Sequence, residues 1–76
     1  MLPRGVTKWQ RKRLQHQQYE RRLQEMKRAR ELLLARATGF EEQQTLQRDV
    51  VALEGRLARC RSALARIENV LARLTR

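Results

Sequence analysis

Apolar side chains in the second half of the chain recur at alternating steps of four and three residues. The nine positions of this repeat are Leu46, Val50, Leu53, Leu57, Cys60, Leu64, Ile67, Leu71 and Leu74. Such spacing is typical of heptad a and d positions, which form one stripe along a helix and pack against another helix. The pattern predicts a helix over residues 40–76 that buries this stripe.

A weaker stripe of the same rhythm precedes it and predicts a first helix over residues 8–37. Its positions are Tyr19, Leu23, Met26, Arg30, Leu33 and Ala37, and the packing residues predicted from it are Tyr19, Leu23, Met26 and Leu33. Arg30 is the one charged member. Its guanidinium is expected either to reach the edge of the interface, while its stem stays buried, or to meet a carboxylate of a partner.

The segment between the stripes has two features of a chain reversal at residues 38–39. Gly39 is suited to the left-handed conformation that ends a helix, and Thr38 with Glu41 matches a capping box for the next one. The alternative is one unbroken helix, because a single glycine costs only about 1 kcal/mol inside a helix. A second capping box, Thr7 with Gln10, predicts that residues 1–7 form a basic arm before the first helix.

These elements predict an all-α fold, a two-helix antiparallel coiled-coil hairpin in a single domain. A chain of 76 residues buries a limited share of its surface, and two helices sharing one seam leave apolar surface near water. We therefore expect the hairpin to be completed by self-association or by another helical protein.

The chain carries a formal charge of +10, with 18 Lys and Arg against 8 Asp and Glu. The excess is concentrated in residues 1–30, which hold ten bases and two acids. Acidic partners are favoured, and the N-terminal half is the part expected to meet them.

A basic cluster in that half predicts contact with nucleic acid or with an acidic protein surface. Its members are Arg4, Lys8, Trp9, Arg11, Lys12, Arg13, Arg21 and Arg22. Lys and Arg side chains neutralise phosphates, and an aromatic ring stacks on unpaired nucleobases. The alternatives are that the charges are an ordinary solvated face and that Trp9 packs near Leu71 and Leu74.

A second set of bases, Arg59, Arg66 and Arg73, repeats every seven residues in the second helix. A basic amphipathic helix can lie on anionic lipid, but the narrow apolar seam favours partner helices over a membrane.

Catalytic, metal-binding and cofactor-binding patterns are lacking. His16 and Cys60 are the only histidine and cysteine, and no nucleophile, base and acid form a set. We therefore expect no enzyme, no cofactor and no small-molecule substrate. A single cysteine and the absence of a long apolar run favour a soluble protein of the cytoplasm or another reducing compartment.

The leading functional hypothesis from these patterns is a basic adaptor or assembly subunit that docks with other helices. The second hypothesis is RNA or DNA binding through the basic N-terminal half. The stretch from Gln44 to Glu54 resembles the second helix of the small hairpin co-chaperones of type III secretion needles, and this resemblance implies a third function, a secretion-type co-chaperone.

Overall fold

The computed structural model describes residues 3–76, which form two α-helices joined by a short turn. Helix α1 spans Val6–Arg36 and helix α2 spans Phe40–Leu74. The start of α1 packs beside the end of α2, so the helices are antiparallel and form a rod of 59 × 15 × 13 Å. The predicted all-α, two-helix hairpin is confirmed. Neither helix is long and apolar enough to cross a membrane.

Helix α1 begins two residues earlier than predicted because a turn, and not the Thr7 capping box, sets its start. The Val6 amide donates to the Pro3 carbonyl at 3.2 Å. Gly5 has φ 88° and ψ −12°, which match the third position of a type II turn. Thr7 lies inside the helix, and no side chain caps the helix start. Of the predicted arm, Met1 and Leu2 lie outside the described residues.

The turn between the helices also differs from its prediction. Gly39 has φ −85° and ψ 142°, an extended conformation and not the left-handed one. Thr38 makes no cap hydrogen bond. Instead, the Gln43 Nε2 donates to the Ala37 carbonyl at 2.9 Å across the turn. At the other end, the Thr75 hydroxyl donates to the Leu71 carbonyl at 2.8 Å and α2 ends at Leu74, before the predicted residue 76.

The apolar stripe of α2 lies at the interface between the helices. Its first eight positions, Leu46 to Leu71, are buried with exposed fractions of 4% to 8%, and Leu74 is half-buried. Each leucine, valine and isoleucine among them contributes about 1.5–3 kcal/mol through removal of apolar surface from water. This helix therefore supplies most of the hydrophobic stabilisation of the hairpin.

Helix α1 turns a different face toward α2 from the one that its apolar pattern predicts. The predicted packing residues Tyr19, Met26 and Leu33 are 39%, 40% and 45% exposed. The half-buried residues are their neighbours Glu20, Lys27 and Leu34. Only Leu23 of the four predicted packing residues of α1 is buried.

The difference corresponds to a rotation of α1 by about half a residue step, roughly 50°. Two apolar clusters account for this orientation. Leu23 packs among Leu53, Leu57, Cys60 and Leu64. Nearer the termini, Val6 packs with Ile67 and Leu71, and Trp9 and Leu74 pack against that cluster. The sites between these anchors are held by polar side chains.

Within the described residues 3–76, two ion pairs join the helices along the edges of the seam. Arg61 Nε lies 2.9 Å from Glu20 Oε2, and Arg30 Nε lies 3.7 Å from Asp49 Oδ2. The Arg30 side chain is 47% exposed. Arg30 thus reaches the edge of the interface, where it pairs with the carboxylate of Asp49 in α2 of the same chain.

Candidate nucleic-acid interface

A cleft opens between the helices at the end where α1 begins and α2 ends. We call it the basic cleft; its volume is about 780 Å³. Its lining residues are Trp9, Lys12 and His16 of α1, Ala63, Arg66, Ile67, Asn69, Val70, Ala72 and Arg73 of α2, and Arg76. Within residues 3–76, no aspartate or glutamate lines it. The cleft is therefore a concave surface of positive charge.

The antiparallel packing of the helices produces this concentration of charge. It places Lys12, near the start of α1, beside the end of α2, where Arg66 and Arg73 lie seven residues apart. Residues at that spacing lie on nearly the same face of a helix. Bases that are separated by more than fifty positions in the sequence thus share one surface.

Trp9 contributes an aromatic ring to the basic cleft. Its ring packs against the cluster of Val6, Ile67 and Leu71 and remains half-buried. Lys12 Nζ lies 4.7 Å from the ring centroid, a cation–π contact. The ring is held on one side by the apolar cluster and borders the cleft with a cation beside it.

A second cleft continues from the first toward the middle of the rod. It is lined by His16, Tyr19, Arg56, Arg59, Cys60 and Ala63, and it shares His16 and Ala63 with the basic cleft. The Tyr19 hydroxyl accepts hydrogen bonds from Arg56 Nη2 at 2.8 Å and from Arg56 Nε at 3.3 Å. Two aromatic rings, each with a cation beside it, therefore border two adjoining clefts, which together we call the groove.

His16 lies where the two clefts meet. Its Nδ1 is 2.9 Å from the Lys12 carbonyl oxygen, which fits the tautomer with the proton on Nδ1. In that tautomer the Nε2 atom is a hydrogen-bond acceptor.

The structure brings only part of the predicted basic cluster into the groove. Trp9 and Lys12 line it. Arg13 is half-buried and lines neither cleft. The remaining members, Arg4, Lys8, Arg11, Arg21 and Arg22, are exposed and also lie outside both clefts.

The bases that complete the groove come from the C-terminal half and were not among the predicted contact residues. They are Arg56, Arg59, Arg66, Arg73 and Arg76. The seven-residue repeat of Arg59, Arg66 and Arg73 signals a common face in the sequence. Its link to Trp9 and Lys12 depends on which side of α1 meets α2, and the apolar pattern of α1 gives that side incorrectly.

Cys60 is a buried free thiol that also lines the second cleft. Burial raises the pKa of the Cys60 thiol above its ordinary value of 9.0, the negative charge of Glu20 raises it further, and Arg61 lowers it. The Sγ donates to the His16 carbonyl at 3.4 Å. The protonated thiol is therefore a packing and hydrogen-bonding group. Within residues 3–76, no three His, Cys, Asp or Glu side chains are grouped to hold a metal ion.

Comparison with known proteins gives a consistent family. A family model described as primosomal replication protein priC matches residues 4–75. The replication restart protein PriC of Escherichia coli strain K12 is 62% identical over 74 residues, which cover 97% of this chain and 42% of that protein. The PriC protein of Klebsiella pneumoniae is 62% identical over 71 residues, covering 93% and 40%. That of Cronobacter sakazakii is 45% identical over 62 residues, covering 82% and 34%.

The chain thus spans about two fifths of the length of the Escherichia and Klebsiella relatives. No solved structure gives a significant match. The relatives are named for replication restart, so the leading hypothesis of a coiled-coil adaptor is wrong, and so is the secretion co-chaperone. The nucleic-acid hypothesis is partly compatible with the relatives.

Proposed function

Because this chain belongs to the primosomal replication protein PriC family, we propose that it holds single-stranded DNA during replication restart, with the basic cleft as its contact surface. The relatives' names place them in a process that operates on DNA. The proposal concerns the hairpin, which corresponds to about two fifths of those relatives. It also implies action where the chromosome lies, in agreement with the cytoplasm predicted from the sequence.

The observation that carries this proposal is that basic side chains and an aromatic ring line the same cleft. Lys12, Arg66, Arg73 and Arg76 provide four cations, which attract phosphates and release their counterions. Trp9 provides a flat apolar face, and stacking of one base on such a ring contributes about 1–3 kcal/mol. A cleft with both features fits a strand that offers phosphates and unpaired bases together.

A single strand fits this cleft better than a duplex does. In a duplex the base faces are stacked on their neighbours, and a protein must extrude a base to reach one. Trp9 lies in a concave site between two helices, where it meets a base only if the base is already unstacked. A duplex would use the exposed arginines and leave Trp9 unused.

The binding experiment uses the fluorescence of Trp9 as the signal, because Trp9 is the only tryptophan in the chain. An oligothymidylate of about 15 nucleotides and a duplex of equal length are titrated while Trp9 fluorescence is followed. We expect the single strand to quench Trp9 and to bind more tightly. Equal affinity for the duplex without quenching would contradict the proposed use of the cleft.

Two charge-matched double variants locate the interface. R66Q/R73Q removes two bases of the basic cleft, and R21Q/R22Q removes two exposed bases outside it. We expect R66Q/R73Q to weaken binding about tenfold or more and to reduce the slope of log K against log salt by about 1.4, since each lost phosphate contact on a single strand removes about 0.7. R21Q/R22Q is expected to change affinity much less. An equal loss in both variants would mean that only the overall charge matters.

Association of the hairpin with a second copy or with another helical protein stays a prediction. Met26, Leu33 and Phe40, the last of them 74% exposed, leave apolar surface toward the turn. Sedimentation of the purified chain as a monomer over a range of micromolar concentrations would contradict self-association.

A further inference from the structure

We propose that the ring of Tyr19 is a second stacking platform for the same DNA strand and that Arg56 holds this ring in position. The inference rests on the proposed function and extends it from the basic cleft to the second cleft. It assigns Tyr19 to nucleic-acid contact, although the apolar pattern of α1 places it among the packing residues.

The surroundings of Tyr19 do not fit a packing role. The residue is 39% exposed, whereas Leu23, one turn further on, is fully buried. Tyr19 borders a cleft with Arg56 and Arg59, so cations stand on the side from which a strand would approach. Its ring therefore has an accessible apolar surface next to groups that bind phosphate.

Arg56 fixes the orientation of the Tyr19 ring before any ligand arrives. Its guanidinium donates two hydrogen bonds to the Tyr19 hydroxyl and lies 5.8 Å from the ring centroid. An aromatic side chain has few rotatable bonds, and two hydrogen bonds at its tip restrict them further. A ring that is already ordered loses less conformational entropy when a base stacks on it.

The distance between the two rings sets the length of strand that can use both. Trp9 and Tyr19 are ten residues apart in α1, or about 15 Å along its axis. A stacked strand advances about 3.4 Å per nucleotide, so the distance corresponds to about four to five steps, and a strand of about five to six nucleotides is needed to place one base on each ring. A dinucleotide can meet one ring but cannot reach both.

The test compares oligothymidylates of about two and eight nucleotides with wild type, Y19L and Y19F. Y19L keeps an apolar side chain without a ring, and Y19F keeps the ring without the Arg56 hydrogen bonds. We expect Y19L to weaken binding of the longer strand about tenfold and that of the dinucleotide less than about twofold. We expect Y19F to stay within about threefold of wild type on the longer strand.

The salt dependence separates stacking from charge. Because Tyr19 is neutral, Y19L should leave the slope of log K against log salt unchanged while lowering affinity at every salt concentration. Equal losses for both strand lengths, or a Y19F variant as weak as Y19L, would overturn the stacking role. Circular dichroism melting of each variant shows whether the hairpin is intact.

Two arginine-to-lysine variants test the role of Arg56. R56K keeps the charge but loses the forked donors that grip the Tyr19 hydroxyl, and R59K makes the same change in the same cleft away from that hydroxyl. We expect R56K to weaken binding of the longer strand about threefold more than R59K does. Equal effects of the two variants would overturn the positioning role of Arg56. If neither strand binds wild type, the proposed function itself fails; if both bind and Tyr19 has no length-dependent effect, only this inference fails.

Discussion

The two helices meet along one seam but fill it with different chemistry. From α2 the seam receives a run of apolar side chains from Leu46 to Leu74, of which all but the last are buried. From α1 it receives two fully buried apolar residues, Val6 and Leu23, and half-buried polar ones such as His16 and Glu20. One helix therefore supplies a continuous apolar surface, and the other rests on it at separate anchors.

This difference has a functional consequence. Where α1 has no large apolar side chain to place in the seam, the space beside α2 remains open, and the two clefts lie there between Trp9 and Tyr19. A hairpin with apolar residues throughout both faces would close these clefts. The weaker seam of α1 thus leaves the proposed DNA groove open, while α2 supplies most of the apolar surface that holds the hairpin together.

The largest expected effect tests which residues of α1 are anchors. Leu23→Ala removes a fully buried side chain, and we expect it to lower the free energy of unfolding by about 2–5 kcal/mol. Leu33→Ala is the matched control, because that leucine is 45% exposed; we expect a change within about 0.5 kcal/mol. Urea unfolding followed by circular dichroism measures both. Equal losses would support the register that the apolar pattern of α1 predicts.

The sequence was sufficient for α2 and for the hairpin but not for the orientation of α1. An unbroken heptad repeat admits one buried face, so Leu53 and Leu57 could be assigned without a structure. In α1, the apolar residues Tyr19, Met26 and Leu33 compete with the anchors Val6 and Trp9 for the orientation of the helix. Val6 and Trp9 prevail because they belong to an apolar cluster with Ile67 and Leu71, and the half-buried position beside Met26 is taken by Lys27, whose long stem tolerates partial burial. Such a balance depends on tertiary contacts that the spacing of one helix does not contain.

The same limit applied to the candidate site. Trp9 and Lys12 could be identified from local composition, because the aromatic and the basic residue lie close together in the sequence. Arg66 and Arg73 join them only through the antiparallel packing, and the rotation of α1 decides which of its bases border them.

A smaller loss of stability is expected at Gly5, before the start of α1, and Gly39, after its end, is the matched control. Gly5 has a positive φ of 88°, so Gly5→Ala is expected to lower the free energy of unfolding by about 1–2 kcal/mol. A Cβ there would meet the Trp9 Cδ1 only at 3.9 Å, so the cost comes from the backbone. Gly39 has φ −85°, which alanine can adopt. The weaker N-cap preference of alanine is offset by the lower entropy of its unfolded chain, so Gly39→Ala should change the free energy of unfolding by less than about 0.5 kcal/mol. Thermal melting compares them, and the reverse order would place the left-handed residue at Gly39.

The ion pair between Glu20 and Arg61 should contribute less. Its Nε to Oε2 distance is 2.9 Å, but the Arg61 side chain is 54% exposed, so we expect Glu20→Gln to cost about 0.2–1 kcal/mol. Glu25→Gln is the control, because Glu25 is an exposed acid of the same helix that forms neither interhelical ion pair. The difference between the variants should shrink in about 1 M salt. A difference that persists at high salt would indicate a packing role for the Glu20 stem instead.

The smallest effect lies at Cys60, where the apolar run of α2 faces Glu20 of α1. Burial first and Glu20 second raise the pKa of the Cys60 thiol, so the folded chain holds this proton more tightly than the unfolded chain does. The stability that depends on the neutral thiol is therefore fully present below the ordinary thiol pKa of 9.0 and is lost as the pH rises through the folded pKa, with a slope of at most about 1.4 kcal/mol per pH unit. Urea unfolding at about pH 8 and pH 10.5 should show the difference between wild type and Cys60→Ala shrinking with pH, since Tyr19 and the lysines are common to both proteins. Adding Glu20→Gln should reduce this dependence by removing its second cause. A difference that does not change with pH would mean that the Cys60 thiol is open to water, and one that grows with pH would mean that the charge of Arg61 outweighs burial and Glu20.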